Sequence, residues 1–138
     1  MATVYNGYKT KGFEGDSSLT IKAMLLDSNY TIDADLDVYR DDISADEVSG
    51  TNYTAGGVAL TSVSTNQDNA GDKGQLLADD PTFTNLTVSD IKTIVYYVDS
   101  GLASTDLLIC AQTFASAENR TAADFIVNLD SGILVEAS

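Results

Sequence analysis

The residue types that carry most enzyme chemistry are scarce in this chain of 138 residues. It contains no histidine, and its one cysteine, Cys110, lies in the apolar run from Leu107 to Ala111. A cysteine nucleophile needs a nearby base, and Ser-His-Asp, Cys-His and histidine-metal sites all require histidine. A Gly-Lys-Ser/Thr phosphate loop is missing, and Gly56-Gly57 lacks the surrounding strand, turn and helix of a nucleotide site. We therefore predict a buried, unreactive thiol and a protein that is not an enzyme.

Carboxylates are the abundant polar groups, and they suggest two kinds of chemistry. A pair of carboxylates can hydrolyse a glycoside, but the acids lie in turn-like sequence and the chain has no tryptophan to line a sugar cleft. The alternating acids Asp33, Asp35 and Asp37 could bind calcium, which takes several carboxylate and carbonyl oxygens. They lack the glycine and the distant glutamate of an EF-hand loop, and the alternative is a solvated acidic face. We predict no cofactor, with calcium at these three residues left open.

The charge balance bears on the possible partners. With 21 acidic and 7 basic residues the net charge is −14, which disfavours binding to nucleic acid and to anionic membranes, because both depend on Lys and Arg. The apolar runs are too short for a membrane span, and residues 1–18 lack the apolar core of a signal peptide. We expect a soluble protein that is made in a cytoplasm.

Short apolar runs separated by Gly, Asn, Asp, Ser and Thr clusters are typical of an all-β domain. The sequence predicts one β-sandwich, jelly-roll-like or related, over residues 19–138. It should have eight or nine strands and at most one or two short helical turns, with a loop at Ala115–Ala122. The strongest β segment is Ile91–Val98, which is rich in β-branched and aromatic residues. Alternation within the runs predicts a core of Ile21, Ala23, Leu25, Leu60, Ile94, Tyr96, Leu108, Cys110, Ile126 and Leu134.

Residues 1–18 read as an N-terminal arm, because they combine three glycines and three aromatic residues with few aliphatic ones. Aromatic side chains commonly anchor interfaces, and nearby lysines can orient an acidic partner. The alternative is that the arm packs on its own sheet. The predicted interface residues are Tyr5, Tyr8, Lys9, Lys11 and Phe13 in the arm, with Tyr53 as a further candidate.

Six segments of the chain form an ordered set: Ile21–Leu25, Ser28–Thr31, Glu47–Leu60, Leu76–Asp80, Ile94–Gly101 and Leu107–Ile109. Taken in this order, they resemble a family of small structural proteins of tailed bacteriophages. The family has a Lys-Val-Met-Leu strand, a Glu-Val-x-Gly-x-Gly-Tyr-Thr-x-Gly-Gly loop and a Leu-x-Ala-Asp-Asp segment. The sequence departs from it at Ile32, Asn52 and Phe83, where the family usually has Pro, Gly and Trp.

The resemblance implies a component of the virion. Because the acidity suits an outer face away from packaged DNA, we expect a capsid decoration (cement) protein on the surface of the head. Its partners would be the major capsid protein and neighbouring copies of itself in a homo-oligomer. Two alternatives remain at this point: a tail, baseplate or fibre-associated protein, and a calcium-dependent receptor- or glycan-binding module.

Overall fold

The computed structural model describes residues 3–6 and 20–137 and shows an all-β domain, as predicted. Three 3-10 turns accompany the strands, at Arg40–Asp42, Ser44–Asp46 and Asp130–Gly132, one more than expected. The eight strands are β1 (Thr3–Val4), β2 (Ile21–Leu26), β3 (Val58–Ala59), β4 (Ser64–Asp68), β5 (Lys73–Leu77), β6 (Thr82–Val98), β7 (Leu108–Ile126) and β8 (Ile133–Ala137).

The strands form two antiparallel sheets. The larger has the order β1-β7-β6-β2-β3, and the smaller has the order β4-β5-β8. The centre of the larger sheet is the long hairpin of β6 and β7. Strand β6 contains the predicted strand Ile91–Val98 but begins earlier, at Thr82. The predicted loop at Ala115–Ala122 is wrong, because this segment belongs to β7 and pairs with the first half of β6.

One core lies between the two sheets, which gives the domain its sandwich-like form. Alternate residues of β2 and β6 face it, as the sequence predicted, and it also holds Leu60, Cys110 and Leu134. Ile126 was predicted here but is 57% exposed, because its neighbours Phe125 and Val127 are the residues that turn inward. The predicted members that the structure places in this core are Ile21, Ala23, Leu25, Leu60, Ile94, Tyr96, Cys110 and Leu134.

A second core covers the opposite face of the larger sheet. Met24 and Tyr97 are buried there beneath Tyr30 and Ile43, which come from the irregular segment between β2 and β3. Leu108 is also buried, but in this second core rather than in the predicted one. The reason is a β-bulge: Cys110 pairs with Tyr96 and Leu108 pairs with Tyr97, so that one extra residue reverses the alternation.

The β6–β7 hairpin is bent by further bulges in its outer half. Asn85, Asp90 and Ala122 have φ values of 51°, 60° and 47° at or beside the places where the register shifts. Asn and Asp tolerate this left-handed conformation better than other residues with a Cβ. Their amides are also satisfied: the Asn85 N–H donates to Asp124 Oδ1 at 2.8 Å, and the Asp90 N–H donates to Asn119 Oδ1 at 2.9 Å.

Candidate functional site

Tyr5, the first predicted interface residue, is buried inside its own chain. Its exposed fraction is 0%, and its hydroxyl bonds to the Tyr30 hydroxyl at 2.7 Å, while Tyr30 donates to Asp37 Oδ2 at 2.7 Å. The Asn6 N–H donates to the Ala34 carbonyl at 2.8 Å. The prediction of an interface role for Tyr5 is therefore corrected, because the ring fills the second core and offers no surface to a neighbour.

The arm boundary needs the same correction at its beginning. Strand β1 pairs with β7, with Thr3 opposite Ala111 and Val4 opposite Cys110. Residues 3–6 thus belong to the domain and not to an arm that ends at residue 18. Four other predicted interface residues, Tyr8, Lys9, Lys11 and Phe13, lie outside the described residues.

Tyr53 is half-buried and holds a loop together. Its hydroxyl donates to Glu47 Oε2 at 2.7 Å and accepts the Leu25 N–H at 3.0 Å, while its ring stacks on Phe83 with centroids 6.0 Å apart. Glu47 Oε2 also accepts the Gly56 N–H at 2.7 Å. Desolvation and the nearby Glu47 carboxylate raise the pKa of the Tyr53 hydroxyl. Because its hydroxyl and its ring both contact its own chain, Tyr53 stabilises the fold, and this geometry gives no support to its predicted place at an interface.

The paired glycines of the same loop are required by close packing. A Cβ on Gly57 would lie 1.7 Å from the Ala23 carbonyl oxygen, and the φ of Gly57 is +82°. Gly56, with a φ of +92°, accepts the Tyr97 hydroxyl on its carbonyl at 2.5 Å. The loop from Glu47 to Gly57, which carries much of the family resemblance, is thus fixed against β2 and β6 by its own motif residues.

The most buried charged group is one that sequence reasoning missed. Asp106 is fully buried and accepts hydrogen bonds from Arg40 Nε at 2.7 Å, the Ser100 N–H at 2.7 Å and the Ser100 hydroxyl at 2.8 Å. Desolvation alone would raise the pKa of its carboxyl, but these donors and the Arg40 charge outweigh it, so the pKa lies below the ordinary value. Arg40 also lies over the Tyr97 ring, 5.3 Å from its centroid. The sequence offered one signal, the single basic residue Arg40 within the acidic stretch. Nothing near Arg40 in the sequence indicated that its partner, Asp106, lies 66 residues away.

The three acids proposed for calcium point to different partners. Asp33 Oδ1 accepts the N–H groups of Asp35 and Leu36, both at 3.1 Å, and so closes a turn. Asp37 bonds to Tyr30, and Asp35 accepts a hydrogen bond from the Asn6 amide. In residues 3–6 and 20–137, no group of three or more His, Cys, Asp or Glu side chains is placed to hold a metal ion. The absence of a cofactor stays a prediction, and calcium at these residues stays open.

Cys110 is fully buried, as predicted, with its Sγ 3.7 Å from the Leu134 carbonyl oxygen. Desolvation raises the pKa of its thiol. Because the thiolate is the reactive form, this environment favours the unreactive state.

A groove of about 300 Å³ lies along the outer part of β7. Phe114 and Phe125 meet edge to face in it, with centroids 5.7 Å apart, and the Arg120 guanidinium lies 4.7 Å from the Phe125 centroid. Glu118 pairs with Arg120 at 3.2 Å. The groove combines an apolar floor, the exposed Ile126 and one ion pair, which is a composition suited to contact with another chain.

Comparisons with protein-family models, with curated proteins and with solved structures give no match to this chain. In the part of the chain that the structure describes, no helix has the length and apolar character needed to cross a membrane.

Proposed function

We propose that this chain is a structural component of a tailed-phage virion and that it decorates the outer surface of the capsid. The observation that carries the proposal is the order of the six resembling segments, which run from β2 to the start of β7. Each segment alone is short, but their common order along most of the chain supports descent from the same architecture.

The contacts of the motif residues give this resemblance a physical meaning. Glu47, Tyr53 and Gly57 each make a contact that the loop needs, to a hydroxyl, to a backbone N–H or to the closely approaching β2. Residues under such constraints are retained when a fold is retained. This supports a shared fold with the phage proteins and, through it, the proposed role.

The charge supports an external location in the particle. A protein with a net charge of −14 would be repelled by packaged DNA. A decoration protein that binds only assembled capsid subunits stabilises the assembled state by mass action. We propose the major capsid protein and other copies of this chain as its partners.

The test is to purify particles of the phage whose genome encodes this chain and to measure its copy number by quantitative mass spectrometry. Decoration predicts hundreds of copies per particle, in a fixed ratio to the capsid protein, and immunogold labelling on the head. A few to some tens of copies with label on the tail would replace it with the tail or fibre role. Particles that lack the chain altogether would refute any virion role.

A further inference from the structure

Among the described residues, the outer side of β7 is a largely open sheet edge. One side of this strand pairs with β6 along its length, whereas β1 covers the other side only at Cys110 and Ala111. Within residues 3–6 and 20–137, no strand pairs with the outer side of β7 from Gln112 to Ile126. An exposed edge of this kind is a template for a strand from another chain.

Bulges restrict where such a strand could pair. Residues 114–117 of β7 form an irregular stretch between the pairs Thr113–Thr93 and Glu118–Ile91, and a second irregularity follows Arg120. The register also shifts between Arg120 and Glu118, but there the extra residue lies on β6, between Val88 and Ile91, so β7 itself continues from Glu118 to Arg120 without an inserted residue. The Asn119 carbonyl accepts a hydrogen bond from Arg120 Nη1 at 2.8 Å, a contact that the N–H of a partner strand could replace.

This edge also carries little net charge in a strongly acidic protein. From Gln112 to Ile126 the charged residues are Glu118, Arg120 and Asp124, so that the segment carries −1, whereas the chain carries −14. Two copies of this chain repel each other over most of their surfaces. They meet less repulsion along this edge than along the acidic segments of the chain.

We propose that a second copy of this chain pairs with β7 in an antiparallel arrangement around a two-fold axis at Asn119. Glu118 of each copy then lies opposite Arg120 of the other, and two ion pairs form across the interface. Opposite charges facing each other across antiparallel strands stabilise the pairing, and an isologous contact closes as a dimer. The groove with Phe114 and Ile126 lies on the same edge, so that its apolar surface is close to the contact. This inference goes beyond the proposed virion role, because it concerns two free copies and requires no capsid.

The experiment is sedimentation of the full chain over a dilution series, in about 0.15 M salt, where charges interact over about 8 Å. The wild-type mass should rise with concentration from 14.6 kDa towards that of a dimer. Glu118→Arg and Arg120→Glu, each alone, should sediment as monomers, since each places like charges opposite each other across the axis. The double variant with both substitutions should dimerise again.

Mixing the two single variants provides the decisive control. A heterodimer places opposite charges at both contacts, so the mixture should dimerise although neither component does alone. The intrachain pair at 3.2 Å is absent in both components, so a gain on mixing reports the interface and not the fold. A wild type that stays monomeric, single variants that dimerise as the wild type does, or a mixture that stays monomeric would each overturn the proposal. None of these outcomes bears on copy number in the virion.

Discussion

Tyr96 and Tyr97 are neighbours in sequence and equally buried, at 1% exposed each, but their hydroxyls differ in hydrogen bonding. The Tyr97 hydroxyl donates to the Gly56 carbonyl at 2.5 Å. The Tyr96 hydroxyl lies in the core between the sheets and meets no hydrogen-bond partner among residues 3–6 and 20–137. We therefore predict that the same substitution, tyrosine to phenylalanine, changes stability in opposite directions at these two positions.

The expected magnitudes follow from the cost of burying polar groups. An unpaired buried hydroxyl costs about 1–3 kcal/mol, so Tyr96→Phe should raise the free energy of unfolding by about 1 kcal/mol after a small loss of packing. Tyr97→Phe removes a hydrogen bond and leaves the Gly56 carbonyl without it, which should lower the free energy by about 1–2 kcal/mol. The ring under Arg40 remains in Tyr97→Phe, so the cation–π contact is kept and the loss belongs to the hydroxyl.

Equilibrium unfolding in urea measures both changes, with the wild type and the double variant in the same series. The side chains lie on opposite faces of β6, so their effects should add within about 0.5 kcal/mol. Destabilisation of the protein by both substitutions, to a similar degree, would refute the assignment of an unpaired hydroxyl to Tyr96.

Three further predictions concern the loops and the titrating groups. A left-handed φ costs a residue with a Cβ about 1–2 kcal/mol, and Gly101→Ala, with open space among the described residues, should lower the free energy of unfolding by only that amount. Gly57→Ala should lower it by well over that amount, because its Cβ would meet the Ala23 carbonyl. Equal shifts in melting temperature for the two variants would contradict this. Asp106→Asn should lower the free energy of unfolding by about 2–3 kcal/mol. Because the pKa of Asp106 is depressed in the folded state, the wild type should lose the stability that this carboxylate contributes as the pH falls below about 4. In urea titrations over the same pH range, the variant should lose less stability than the wild type. Desolvation raises the pKa of Tyr97 to about 12 from 10.0, so its contribution is complete below pH 10 and is lost between pH 10 and 12. Burial also raises the pKa of Tyr53 and Tyr96, so a urea midpoint that falls as steeply in Tyr97→Phe as in the wild type over this range would refute the reasoning.

The sequence allowed prediction of one face of the larger sheet but not of the other. Period-2 alternation identified Ile21, Ala23 and Leu25 as inward residues, because the packed second sheet demands that spacing. Met24 was expected to face outward, yet it is buried by the segment between β2 and β3, which has no periodicity to reveal it. The continuous apolar run from Ala23 to Leu26 was the available signal, since strands covered on both faces lose alternation.

Ile126, which is wrongly predicted as a core residue, and Leu108, which is buried in the second core, share a physical cause. A shift of one residue in a strand moves every later side chain to the opposite face. Leu108 lies at such a bulge, and Ile126 ends a strand in which several register shifts accumulate. The run from Leu107 to Ala111 contains none of the residue types that favour turns, so the sequence could not predict the bulge. The Arg40–Asp106 pair escaped prediction because it joins distant segments.

The residues that carry the family resemblance and the residues that could carry assembly are different sets. Glu47, Tyr53 and Gly57 bond to or pack against their own chain, so a substitution there changes stability before it changes any partner. The β7 edge around Glu118 and Arg120 lies outside all six resembling segments, although Arg120 packs over Phe125 and Asn119 accepts the Asp90 N–H. In the proposed pairing, the charges at residues 118 and 120 are the groups that face the second copy, so substitutions there should change assembly.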